Sequence, residues 1–115
     1  VFGCGGDRDR SKRAKMGSIV SELADLIIVT SDNPRNENPI NIINDILKGI
    51  PDEIDVRVEV DRAKAIDFAI SLASSVDLVL LAGKGHENYQ IIGDEKKIFD
   101  DRDYARNALE IKANG

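Results

Sequence analysis

Residues 25–35 read DLIIVTSDNPR. From Leu26 to Val29 the run is apolar and mostly β-branched, with no polar residue alternating through it. A strand with one wet face alternates. A continuous apolar run is the pattern of a strand covered on both faces, as in a parallel sheet between two helical layers. The run then turns polar within two residues. Asp32 and Asn33 favour turns because their side chains bond nearby backbone groups. Asn33 also precedes Pro34, which biases it to an extended conformation. Turn chemistry thus accounts for Asp32, Asn33 and Pro34, and leaves Arg35 without a local reason.

Working outward, the same alternation of elements recurs. Upstream lies a short apolar piece, VFGC, and then Met16, Ile19, Val20 and Leu23 at the spacing of one helix face. Downstream, Pro39 suits a first helical position. Ile40, Ile43, Leu47 and Ile50 repeat at helical spacing, with Gly49 near the stop. Residues 54–60, IDVRVEV, alternate with period two. Asp61 is placed to cap a helix whose face is Ile66, Ala69, Ile70 and Ala73. Residues 76–83, VDLVLLAG, read as another strand buried on both sides. Residues 89–100, YQIIGDEKKIFD, hold two apolar pieces around Gly93-Asp94, a hairpin signal. A helix from about Asp101, with Ala105, Ala108 and Leu109, closes the chain. The order β-α-β-α-β-α-β predicts an α/β domain: a mainly parallel sheet, helices on both faces, and a C-terminal β-hairpin plus helix.

At 115 residues the chain suits one domain spanning 1–115, long enough to bury roughly two thirds of its unfolded surface. A net charge of −5 argues against a nucleic-acid partner, which calls for a basic patch. Cys4 is the only cysteine, so neither a disulfide framework nor a cysteine-cluster zinc site can form within one chain. No apolar segment approaches membrane-spanning length, and no secretory signal is present; both favour the cytoplasm. The opening VFGCGGDRD lacks an initiator Met. Val1 and Phe2 read as the end of a strand, so a fragment of a longer protein is expected.

In a parallel sheet the loops after each strand emerge on one edge, where open α/β domains bind ligands. Three such loops carry chemistry: GCGGDRD (3–9), SDNPR (31–35) and AGKGHE (82–87). Gly3, Gly5 and Gly6 serve either a tight strand-to-helix turn or exposure of backbone N–H groups to an anion. No phosphate loop of the G-x-x-x-x-G-K-[ST] type exists, because Gly85 follows Lys84. Nor is there a dinucleotide fingerprint, because Arg8 stands where the third glycine belongs. Arg35 is either a solvated side chain or a two-pronged donor to a carboxylate or phosphate, and Arg8 strengthens the second reading if the two converge. His86, the only histidine, has no partner for a metal site and reads as structural or supporting. Glu87 is either a solvated carboxylate or a receptor for an ammonium group. Lys84, between two glycines, is expected to be exposed, with its role open. Cys4 reads as packed rather than reactive. Two arginines and a glutamate on one edge describe a site for a zwitterion, such as an amino-acid head group.

GCGGDRD, SDNPR and AGKGHENYQ, with the closing FDDRDYARNAL, together resemble the C-terminal domain of the Mur ligases over essentially the whole chain. Within that family the likeness is to the branch that adds meso-diaminopimelate to UDP-N-acetylmuramoyl-L-alanyl-D-glutamate. The resemblance implies a Rossmann-like three-layer domain of a three-domain cytoplasmic enzyme of peptidoglycan synthesis. Its other domains would hold the UDP substrate, ATP and Mg2+. ATP would phosphorylate the substrate carboxylate, and the incoming amine would displace phosphate to form an amide. By motif, Arg8 would bind a diaminopimelate carboxylate. In the segment Asp32, Asn33, Pro34 and Arg35, Asn33 and Arg35 would hold the end remote from the reacting amine. The Gly83 carbonyl and the Glu87 carboxylate would take the ammonium group of that end. No catalytic or metal-binding residue is expected in this domain, and the 115 residues alone are expected to be inactive as a ligase. meso-Lanthionine carries the same head groups and fits the same reading. An amino-acid-binding module without activity, or a domain of the folylpolyglutamate synthetase type, are the alternatives. Asp7, Asp9 and Lys12 are candidates for contact with ATP.

Overall fold

The computed structural model describes residues 1–84 and 86–114. Its centre is β1 (Ile27–Val29), buried at every position. β1 pairs in parallel with β2 (Val56–Val58), in the register Ile27↔Val56, Ile28↔Arg57 and Val29↔Val58. On its other side Phe2 forms a parallel bridge to Val29: the Phe2 N–H donates to the Ile28 carbonyl at 3.1 Å, and the Thr30 N–H to the Phe2 carbonyl at 2.9 Å. Beyond that, the Val1 amino group donates to the Leu80 carbonyl at 2.9 Å, and the Ala82 N–H to the Val1 carbonyl at 2.9 Å. The spatial order is therefore 56–58, 27–29, 1–2, 80–82, all running the same way.

The unbroken apolar run of β1 is explained by what covers each face. Ile27 and Val29, with Phe2, pack against Ile42, Ile43 and Ile46 of α2 (Pro39–Leu47) and against Ile50. Ile28 points the other way, onto Ala65 and Ala69 of α3 (Arg62–Leu72). That second layer continues through Ile66, Ile70, Phe99 and Ala108, where α4 (Asp101–Asn114) joins α3. Both predicted helix starts form: the Asn38 side chain accepts from the Ile40 N–H ahead of Pro39 at the first position, and Asp61 accepts from Ala63 and Lys64. The fold is α/β, with a parallel sheet between two helical layers.

On α2 the buried face is shifted from the expected one: Ile43 and Ile50 are buried, but Ile40 is 44% exposed and Ile42 and Ile46 are buried instead. Two further elements depart from expectation. The helix α1 (Ser11–Leu23) buries Arg13 and Gly17, while Met16, Ile19 and Leu23 are 38%, 57% and 81% exposed. Val20 packs on the core cluster that includes Ile42, Ile43 and Ile46, and Arg13 pairs with Asp45 of α2 at 3.0 Å, but the closest approach to α2 is backbone to backbone. A side chain begun at Gly17 would meet the Ile46 carbonyl at 2.4 Å, and one begun at Gly49 would meet the Ala14 carbonyl at 1.8 Å. The second departure is residues 76–82, which form no regular strand. Val79 and Leu81 pack inward on the α3–α4 layer, but Val76, Leu78 and Leu80 are 90%, 92% and 67% exposed.

The hairpin forms as read: β3 (Tyr89–Ile92) and β4 (Glu95–Ile98) are antiparallel, turning at Gly93 with φ +62°. A parallel bridge between Ile92 and Arg35 fastens it to the 31–37 loop. Arg62 and Asp101 lock the strand exits from the opposite layer. The guanidinium grips both carboxylate oxygens at 2.8 and 2.7 Å and donates to the Ser31 and Ala82 carbonyls. Among the described residues no helix is long and apolar enough to cross a membrane.

Candidate functional site at the strand exits

Loops 3–9 and 31–37 are interlocked. The Gly6 N–H donates to the Asn33 carbonyl at 2.7 Å, and the Asp7 N–H to Glu37 Oε1 at 2.7 Å. Asp7 Oδ2 accepts from both nitrogens of Asn36. The glycines are needed for this approach: a Cβ at Gly3 would lie 2.3 Å from the Thr30 carbonyl oxygen, and one at Gly6 only 1.8 Å from that of Pro34. Arg13 supports the pair from below. Its buried guanidinium donates to the Gly5 carbonyl, to both oxygens of Glu37 and to Asp45 Oδ2, at 2.8 to 3.0 Å. Chiefly through the Arg13 hydrogen bond, with Arg10 and Lys48 adding to it, the Asp45 carboxyl is pulled down to about 2. Glu37 is lowered by the same guanidinium.

Arg35 sits in the left-handed region with φ +52°, which a residue with a Cβ adopts only under constraint. The constraint is visible. Its N–H donates to the Ile91 carbonyl at 3.1 Å, and its carbonyl accepts from Gly93 at 2.6 Å. Nη1 donates to the Gly6 carbonyl at 3.0 Å and the Asn33 carbonyl at 3.4 Å. One edge of the guanidinium is thus anchored, while Nε and Nη2 have no partner among the described residues. Arg8 is exposed. It flanks the same spot: the point where a Gly5 side chain would begin lies 2.8 Å from Arg35 Nη1 and 3.4 Å from Arg8 Cγ.

The third loop meets the second through Lys84. This side chain is fully buried, against the expectation that flanking glycines would expose it. Nζ donates to Asn33 Oδ1 at 3.2 Å and to the Tyr89 carbonyl at 2.8 Å. It also lies 2.8 Å from Asp32 Oδ1. That last approach is a charge contact, since Asp32 Oδ1 has no hydrogen-bonded partner among the described residues. Asn33 is buried, and its side-chain oxygen also accepts from the Ile91 N–H at 2.9 Å. Pro34 is buried under Gly6. Gly83, with φ +109°, lies beside Asp32 Oδ2. Glu87 is half-buried, and its Oε2 accepts from the Tyr89 hydroxyl at 2.6 Å. Tyr89 is raised above its ordinary value by that hydrogen bond and the Glu87 charge, with Arg35 pulling it down less. His86 is exposed. Cys4 is half-buried against Met16 Sδ, and burial raises its thiol.

The result is an open shelf. Two hollows lie away from it, one lined by Arg57, Val58, Glu59 and Phe68, the other between α3 and α4. Neither carries the converging polar groups of the loop edge. No group of three His, Cys, Asp or Glu able to hold a metal ion occurs among the described residues.

Residues 1–85 match the family model described as Mur ligase, glutamate ligase domain. This chain belongs to the Mur ligase family. Relatives from Nostoc sp. (strain PCC 7120) and Thermosynechococcus vestitus are 66% and 63% identical over 109 and 110 residues, 95% and 96% of this chain. A relative from Prochlorococcus marinus (strain NATL1A) is 56% identical over 114 residues, 99% of the chain. All three are named UDP-N-acetylmuramoyl-L-alanyl-D-glutamate--2,6-diaminopimelate ligase. A solved structure titled as that same ligase superposes with a TM-score of 0.93 at 43% identity, over 97% of this chain and 23% of its own. This Mur ligase chain spans about a fifth of the length of these relatives, 22% of each of the three.

Three side chains of this Mur ligase site were not legible as such in the sequence: Lys84 as a buried tie, Tyr89 as the partner of Glu87, and Arg13 as the support beneath the 3–9 and 31–37 loops. For Tyr89 a signal existed, because in an extended segment residues two apart share a side, which puts it with Glu87.

Proposed function

We propose that residues 1–115 are the amino-acid-recognition domain of a three-domain, ATP-dependent amide ligase. The ligase adds meso-diaminopimelate to UDP-N-acetylmuramoyl-L-alanyl-D-glutamate during peptidoglycan synthesis in the cytoplasm. ATP and Mg2+ are assigned to parts of the enzyme outside this segment. The observation that carries the reading is the convergence of Arg8 and Arg35 around Gly5, on the edge where Lys84 and Tyr89 also bring in Glu87. Two guanidiniums answer to carboxylates, and the glutamate, with the Gly83 carbonyl, answers to an ammonium. Asp32, Asn33 and Pro34 hold Arg35 in place, and the amide nitrogen of Asn33 is left for the ligand. The names of the relatives support the same substrate.

Diaminopimelate differs from lysine by one carboxylate at the far end of the side chain. The anchored pose of Arg35 engages Nη1 and leaves Nε and Nη2, without a partner among the described residues, for that group. A hydrogen bond to a charged group is worth about 1.5–3 kcal/mol net. A site built around a polar group rejects the analogue lacking it by up to about 10⁴–10⁵. In the full-length enzyme, Arg35→Ala raises the KM for meso-diaminopimelate at least about tenfold, with a milder effect on that for ATP. Steady-state kinetics with each substrate varied in turn checks this, and an unchanged diaminopimelate KM removes Arg35 from the site.

A further inference from the structure

We propose that Tyr89 is a positioning residue: its hydroxyl fixes the Glu87 carboxylate in the orientation that receives the distal ammonium group of the incoming diamino acid. This rests on the reading of Glu87 as the ammonium receptor. The Tyr89 hydroxyl donates to Glu87 Oε2 at 2.6 Å, within the short range of a charge-assisted O–H···O⁻ bond. Glu87 Oε1 has no partner among the described residues and is left for the ligand. A glutamate at a partly exposed loop end otherwise spreads over several rotamers, and binding must then bear the entropy of ordering it.

Tyr89 is suited to the task because it is itself held at three points. It pairs with Ile98 in the hairpin, its carbonyl accepts from buried Lys84, and Lys96 Nζ lies 4.1 Å from its ring centroid. Glu87 keeps the phenol protonated well above neutral pH, so the hydroxyl is a donor under all working conditions. The bond spans only two residues, next to a hairpin with its own four-pair ladder. The fold therefore has little use for the hydroxyl.

The test is Tyr89→Phe in the full-length ligase, which keeps ring, ladder and Lys96 contact. KM is measured for meso-diaminopimelate and for 2-aminopimelate, which keeps the distal carboxylate and lacks the distal amine. The variant is expected to raise the diaminopimelate KM about tenfold with kcat within about twofold, and to leave the 2-aminopimelate KM unchanged. In a Glu87→Gln background the Tyr89→Phe effect is expected to vanish. Equal KM increases for both substrates, or no increase for either, overturn the proposal. KM does not depend on the folded fraction, so partial loss of folded enzyme does not blur the comparison. If wild-type enzyme handles the two substrates alike, the reading of Glu87 falls. If wild type discriminates and Tyr89→Phe discriminates equally well, Tyr89 alone is wrongly assigned.

Discussion

At Lys84 Nζ, oxygens from Asp32, Asn33 and Tyr89 converge within 3.2 Å on an ammonium group that solvent does not reach. Lysine is almost never fully buried unless paired, and here the pairing joins the 31–37 loop to the hairpin that holds Arg35. Lys84→Met keeps the length and apolar stem but takes the counter-charge from Asp32 and a donor from the Asn33 side chain and the Tyr89 carbonyl. Water reaches Asp32 in part, so the cost belongs at the lower end for a broken buried pair, about 2–3 kcal/mol. Thermal unfolding followed by circular dichroism should show a Tm lower by on the order of 10 °C. Arg8→Ala gives the contrast, since an exposed, unpaired side chain changes stability by no more than about 0.5 kcal/mol. Equal Tm values for wild type and Lys84→Met would remove Lys84 as the tie.

Between elements, the α1–α2 contact sets two effects against each other at Gly17. Intrinsic helix propensity favours Ala over Gly by about 1 kcal/mol. The added Cβ, however, would meet the Ile46 carbonyl at 2.4 Å and the Ile50 side chain at 3.1 Å. A carbonyl in a helix cannot swing aside, and overpacking costs about 1–3 kcal/mol beyond whatever propensity returns. Gly17→Ala is therefore expected to lower the urea midpoint; a raised midpoint would mean that propensity wins and the helices simply part. The same contact explains what the sequence could not reveal. Periodicity finds helix faces that pack through side chains, so it placed Met16, Ile19, Val20 and Leu23 inward, whereas of these Val20 packs on the core and the closest approach to α2 is at Gly17. An apolar run such as 76–82 looks the same whether one face or both are covered. DLIIVT read correctly because both of its faces are covered. The edge bearing Arg8, Arg35 and Glu87 was legible because parallel topology alone gathers strand exits. The backbone bridge from Arg35 to Ile92 leaves no side-chain trace, so the means of holding Arg35 was not.

Across the whole molecule, acid tests which charges the fold depends on. The Asp45 and Asp100 carboxyls are both drawn from 3.8 to about 2, by Arg13 first and by Arg102 first respectively. A carboxyl whose value is depressed on folding stabilises the fold fully above its unfolded value and loses that contribution as pH falls through the folded one. The window here runs from near pH 4 down to about pH 2. The two groups differ in their reference state. Asp100 pairs with Arg102, two residues away and 63% exposed, a surface pair that adds little, and it also caps α4 by accepting from the Arg102 N–H, a bond that asparagine can keep. Asp45 is gripped by Arg13 and Arg10 of a different element, a pairing that exists only when α1 and α2 are docked. Glu37, lowered by the same Arg13, follows Asp45. Denaturant unfolding at a series of pH values between 7 and 2 should therefore show wild-type stability falling below pH 4. Asp100→Asn should keep most of that slope. Asp45→Asn should start lower at pH 7, because Arg13 has lost one of its two carboxylate partners, and fall less steeply below pH 4. If Asp45→Asn kept the full acid slope, protons would be entering elsewhere, and the Arg13 cluster would not be what acid releases.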